Sequence, residues 1–312
     1  HIRKPMTISE HLSTFAGFVV TDYDPKVGIA QPKCAYRIMA GWEAKVPFDA
    51  LLEGFLRDPR AAEVPALLIG TWGEVLDDGM DDTVATLVRS SDRLRPLGAI
   101  FLGEVVMEES EISWITQADV TPILKAFPRL EILRVRGGQG VALEPTTHAS
   151  LRELAFEAGG LPGEIARAVA ASSFPSLEHL ELWLGTDQYG GTTKLADLEG
   201  LLRKDPFPTL RYLGLRNSEI VGEIVWALSG SPVLSHLREL DLSMGTLTDE
   251  EATRLLQIPE LRKIETLDLS ESYLTPPVIR LLEAGSLRIV ADGQRKADEY
   301  RGKSYRYVSV SE

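Results

Sequence analysis

The sequence predicts an α/β fold, a leucine-patterned solenoid with a parallel β-sheet on one face and helices on the other. Two observations predict it. The apolar motif L-x-x-L-x-L recurs in order along most of the 312 residues, and segments with apolar residues at three- and four-residue spacing separate its copies. A strand plus a helix cannot bury its apolar face alone, so successive units must stack and share one core. Helices are wider than the roughly 4.8 Å between paired strands, so the stack is expected to bend into a horseshoe with the strands on the concave face.

The elements justify this in order. His1 to Pro5 precede Met6, which reads as the initiator, and are left out of the fold. Residues 6–47 read as an N-terminal cap. Within it Phe15 to Thr21 and Cys34 to Ala40 alternate like strands around the turn-rich Asp22 to Lys33, which predicts an antiparallel hairpin. Residues 48–290 read as the solenoid of about eight repeats. Its clearest motifs begin at Leu177, Leu210, Leu237 and Ile264, and conservative versions begin at Val64, Leu97, Leu130 and Leu151. The steps between them are 33, 33, 21, 26, 33, 27 and 27 residues. Helices are predicted at Phe48 to Arg57, Asp81 to Arg89, Asp119 to Phe127, Gly163 to Ala171, Leu195 to Lys204, Glu219 to Leu228, Thr248 to Leu256 and Pro276 to Glu283. Thr248 followed by Glu251 forms a capping box, and Phe-Pro or Ile-Pro closes several helices because proline cannot continue them. The Gly- and Pro-broken stretch from Gly137 to Ser150 reads as a convex-side loop, which explains the short step. Residues 291–312 read as a C-terminal cap, with Tyr305 to Val310 alternating like an edge strand.

On these motifs the chain resembles the leucine-rich repeat superfamily, of the helix-containing type seen in ribonuclease inhibitor, over Val64 to Val290. Within it the chain is similar to bacterial cytoplasmic leucine-rich repeat proteins of unknown function. It departs from the type after the strand, where Ser218, Gly245 and Ser272 stand in place of Asn or Cys and the only asparagine, Asn217, falls one place early.

Composition narrows function. The net charge of −13 disfavours nucleic acid and anionic membrane surfaces and points to a basic protein partner. The acidity belongs to the repeats: residues 48–129 carry −8 and 130–286 carry −9, while each flank carries +2. One cysteine, Cys34, excludes a disulfide framework and suits the cytoplasm. Neither a membrane span nor an export signal is read. The five histidines show no metal-ligand spacing, nucleotide and hydrolase signatures are missing, and no cofactor or metal is expected. Asp77 to Asp82 lacks the ligand alternation of a calcium loop and reads as a solvated helix start.

Alternate residues of each motif point away from the core. The first two rungs, Ala66, Leu68, Gly70 and Ala99, Phe101, Gly103, are small or apolar and suit cover by the N-terminal cap. Later rungs supply Arg134, Arg136, Glu153, Glu157, Glu181, Trp183, Tyr212, Arg216, Glu239, Asp241 and Asp268. Aromatic and arginine side chains anchor interfaces, so this set, with the loop Asp187, Gln188 and Tyr189, is the expected partner-binding surface of a non-enzymatic scaffold. The alternatives are an enzyme with a site at Gly137 to His148 or in the caps, and an accessory subunit of an enzyme.

Overall fold

The computed structural model describes residues 8–41, 43–73 and 78–312. It divides into two compact units, His1–Ala142 and Leu143–Glu312. Asp77 of the acidic run lies outside the described residues, while Asp81 and Asp82 occupy the first turn of a helix, as expected.

The first unit runs β1 (Thr14–Phe15), β2 (Phe18–Asp22), β3 (Ala35–Ala40), α1 (Phe48–Arg57), β4 (Ala66–Trp72), α2 (Asp81–Arg89), β5 (Ala99–Leu102), α3 (Thr121–Ala126) and β6 (Ile132–Arg136), with its strands paired in chain order. From β2 onward the pairing is parallel, with one register shift between β3 and β4 after Ile38, and Leu67, Ile100 and Leu133 form one buried ladder. The antiparallel hairpin is smaller than expected. It joins β1 to β2, and of the expected strand Cys34 to Ala40, residues Ala35–Ala40 instead form a parallel rung that pairs with β2 and β4. The segment between β2 and β3 is long enough for a parallel crossover, and Tyr36 and Ile38 take the inward positions opposite Leu67 and Ile69. An aromatic residue in a leucine slot hid this rung. Cys34 is buried just before it.

The apolar early rungs are covered. Phe15 packs with Ala35, Ala66, Leu68, Ala99 and Phe101, its ring 6.0 Å from that of Phe101. The strap that delivers Phe15 is tied down by charge. Glu104, only 1% exposed, accepts the Leu12 N–H at 2.7 Å and faces His11 at 2.9 Å and Arg37 at 3.1 Å. His11 also meets Glu109, and Arg37 meets Asp22. Its hydrogen bonds to Glu104 and Glu109 push the His11 pKa from 6.5 up to about 9. Burial alone would raise Glu104, but His11, the Leu12 N–H and Arg37 together hold it below the usual carboxylate range.

A raised histidine stabilises the fold fully below its unfolded value of 6.5 and loses that contribution as pH rises through about 9. Discounted for partial exposure, the contribution is about 2 kcal/mol. Urea midpoints at pH 6 and pH 10 are expected to converge in His11→Gln, and an unchanged pH slope would refute the tie.

The second unit runs β7 (Glu153–Glu157), α4 (Gly163–Ala171), β8 (His179–Gly185), α5 (Leu195–Lys204), β9 (Tyr212–Ser218), α6 (Val221–Leu228), β10 (Glu239–Asp241), α7 (Asp249–Leu255), β11 (Thr266–Asp268), α8 (Pro276–Glu283) and β12 (Arg288–Val290). These strands are parallel and in chain order, aligning Leu154, Leu180, Leu213, Leu240, Leu267 and Ile289. Both units therefore have the repeating strand-and-helix architecture of a leucine-rich repeat solenoid. The predicted helix-end residues Phe174 and Phe207 are buried and stacked at 5.9 Å, and the Thr248 N–H donates to Glu251 at 2.7 Å, as the capping box requires. No helix forms between β6 and β7.

The corners at the end of β9 and after β10 and β11 resolve the departure noted after the strand. Asn217, Met244 and Glu271 adopt left-handed backbone, one residue before Ser218, Gly245 and Ser272. The C-terminal segment also differs from expectation. A separate antiparallel hairpin, β13 (Asp298–Tyr300) and β14 (Lys303–Tyr305), fills the polar stretch. Tyr305 ends β14, and the residues after it do not form the expected edge strand. Tyr307, Ser309 and Val310 spend their main-chain bonds on side chains and corners rather than on a ladder.

Candidate partner-binding face

In the second unit, register places the outward residues in rows. The first row reads Glu153, His179, Tyr212, Glu239, Thr266 and Arg288, and the second includes Glu181, Gly214, Asp241 and Asp268. Trp183 stands opposite Arg216.

The rows differ in access. Glu153, Tyr212, Glu239, Thr266 and Asp268 are half-buried. The expected solvated Trp183 is instead 0% exposed, and Glu157, Glu181, Arg216 and Asp241 are buried with it. This corrects the expectation that these side chains form an open surface. The reason is mutual pairing. Glu181 receives the Trp183 indole N–H at 2.6 Å and an Arg216 N–H at 2.6 Å, and faces His179 at 3.3 Å. Arg216 also lies 3.2 Å from Asp241, bonds Ser243 at 3.0 Å, stands 5.1 Å over the Trp183 ring and reaches the Met244 sulfur.

Gly214 gives the network room. A Cβ there would lie 3.0 Å from the Tyr212 ring and hydroxyl. Without one, Tyr212 stacks on His179 at 3.9 Å and donates its hydroxyl to Asp241 at 2.7 Å.

The charges are balanced by position. Burial would lower the Arg216 pKa, but Asp241 and Glu181 more than offset it and drive it upward. Burial raises Tyr212 well above 10, and the charges of Asp241 and Glu181 add to this. Burial and the neighbouring Asp241 raise Asp268, against the Ser270 hydrogen bonds. Such an arrangement fixes the face rigidly and leaves an acidic, partly aromatic rim accessible.

Arg134 and Arg136 belong to the first unit and are buried there. Their guanidinium groups lie 6.0 and 5.2 Å from the Phe101 ring, and Arg136 donates to the Val105 carbonyl at 2.6 Å. Asp187 and Gln188 are exposed in a short turn, and Tyr189 donates to Glu312. His148, the alternative catalytic candidate, is buried, with its main-chain N–H on the Ser173 carbonyl at 3.0 Å. The motif positions also read His179 and Ser243 as outward residues, outside the candidate binding set, and the structure brings both into the network; Met244, beyond the motif, carries no such signal.

Among the described residues, no group of three or more His, Cys, Asp or Glu is placed to hold a metal ion, and no helix is long and apolar enough to cross a membrane. Among solved structures, the chain is similar to a Bacteroides fragilis protein from structural genomics. The TM-score is 0.77 with 27% identity, over 88% of this chain and 76% of that one. An internalin from Listeria monocytogenes aligns over 92% of this chain and 86% of that one, at 13% identity and a TM-score of 0.36, too low to carry an argument. Neither a protein-family model nor a curated protein sequence matches the chain. The Bacteroides likeness supports the fold.

Proposed function

We propose that the chain is a protein-interaction scaffold, built of helix-containing repeats of the ribonuclease-inhibitor type, that binds a basic protein on the second unit. The observation that carries this reading is the half-buried rim formed by Glu153, Tyr212, Glu239 and Asp268 above a paired, buried layer. A rigid base lowers the entropy lost when a partner docks, and the carboxylates favour a basic complement.

Reversing Glu153 and Glu239 to Lys is expected to reduce recovery of a basic protein from source-cell lysate at least tenfold. Affinity capture with mass spectrometry, alongside thermal melting, checks it. A captured protein that survives both reversals overturns the site, and no specific capture overturns the scaffold reading.

A further inference from the structure

The left-handed corners of the second unit hold the chain's own Tyr307 to Glu312, and the way they hold it points to a peptide-binding groove. The bonds are directed at main chain. Asn217, 0% exposed, accepts the Val310 N–H at 2.9 Å and donates to the Val310 carbonyl, so one amide satisfies both polar groups of that residue. The Met244 carbonyl accepts the Ser309 N–H at 2.8 Å. Tyr273 accepts the Tyr307 N–H and donates to its carbonyl, each at 2.9 Å, while Arg295 donates to the same carbonyl at 2.7 Å. Val308 and Val310 are buried between these bonds, and Tyr189 holds the Glu312 carboxylate.

Successive tail residues thus visit successive corners in reverse repeat order. Main-chain recognition with pockets for alternate side chains is how extended peptides are bound at strand edges. The tail leaves through β13 and β14, whose residues are all exposed, so its release need not disturb the sheet. An emptied groove leaves the buried Asn217 amide without its tail partners, which favours capture of a replacement.

We propose that this groove binds an extended peptide of a partner protein, with branched aliphatic residues at alternate positions followed by a carboxylate, and that residues 307–312 occupy it in cis. The proposal rests on the scaffold reading but uses a site apart from the acidic rim.

The probe is a fluorescent peptide of residues 305–312, titrated into the purified full chain. A tethered tail competes at roughly millimolar effective concentration, so the wild type is expected to bind at least tenfold more weakly than the full chain carrying Val308→Asp and Val310→Asp. Adding Asn217→Ala to that variant is expected to weaken binding at least tenfold, whereas Glu239→Lys leaves it unchanged; this separates failure of the groove from failure of the rim. No binding to the folded variant overturns the groove. If the variant does not fold, hydrogen exchange on the wild type decides: Ser309 and Val310 amides are expected to exchange at least tenfold faster than those of Leu213 and Leu240, and equal rates overturn release. A wild-type dimer in sedimentation that Val310→Asp abolishes would identify the occupant as a second copy and overturn the partner assignment.

Discussion

Arg216→Ala is expected to destabilise the fold by about 3–5 kcal/mol, because it leaves two buried carboxylates without their cation. Glu181 and Asp241 are both buried and lie 2.6 and 3.2 Å from its guanidinium. The replacement also removes the positive charge that lowers Tyr212 and Asp268 against the effects of burial. Urea unfolding measures the loss. The companion variant Arg216→Met with Glu181→Gln and Asp241→Asn is expected to recover more than half of it, since removing all three charges also removes their desolvation cost. Equal losses in the two variants would assign the effect to packing on Trp183 and sink the electrostatic account. The acid side adds a check. Asp268 takes up its proton at higher pH folded than unfolded, so this carboxyl costs stability as pH rises through its raised pKa. Removing Arg216 should move that loss to still higher pH.

The repeats were legible because burial is local to the pattern: Leu213, Leu240 and Leu267 point inward at a period of two, and the helix between each pair has its own spacing and stops. The face was legible in composition but not in access. Whether Trp183 is a solvent-exposed anchor depends on Arg216, which lies on the next strand and meets it only through register, and on the Glu181 that both of them bond. Adjacent-motif alignment recovers part of this. Tyr36 was obscured for a different reason, since its aromatic ring breaks the leucine pattern while filling the same slot. The strap at Leu12 and the tail at Val310 were hidden because their main-chain groups are what Glu104 and Asn217 bind, and a main-chain group has no residue signature. Asn217 was visible as an anomaly. Its position one residue early marks a left-handed corner, which asparagine tolerates better than most residues.

Gly185→Ala is expected to cost about 3 kcal/mol or more, by adding backbone clash to left-handed strain. Gly185 has φ +69°, and a Cβ there would enter the Gly159 carbonyl and the Gly160 N. Neither atom can yield cheaply. Gly160 pairs with Gly185, the Leu161 N–H donates to the Leu184 carbonyl at 2.9 Å, and the Thr186 N–H donates to the Gly159 carbonyl at 2.9 Å. These bonds place the loop that carries Asp187, Gln188 and Tyr189. Gly190→Ala is the control, because it has φ +85° but nothing within 4 Å of the added Cβ. That variant should lose only about 1 kcal/mol of backbone preference. Thermal melting separates them, and equal losses would refute the close-approach argument. The comparison also reaches the tail, since Tyr189 donates to Glu312. Displacing the loop should therefore speed exchange of the Val310 amide in Gly185→Ala more than in Gly190→Ala, linking the fit of two backbone segments at the end of β8 to how firmly the groove holds its own occupant.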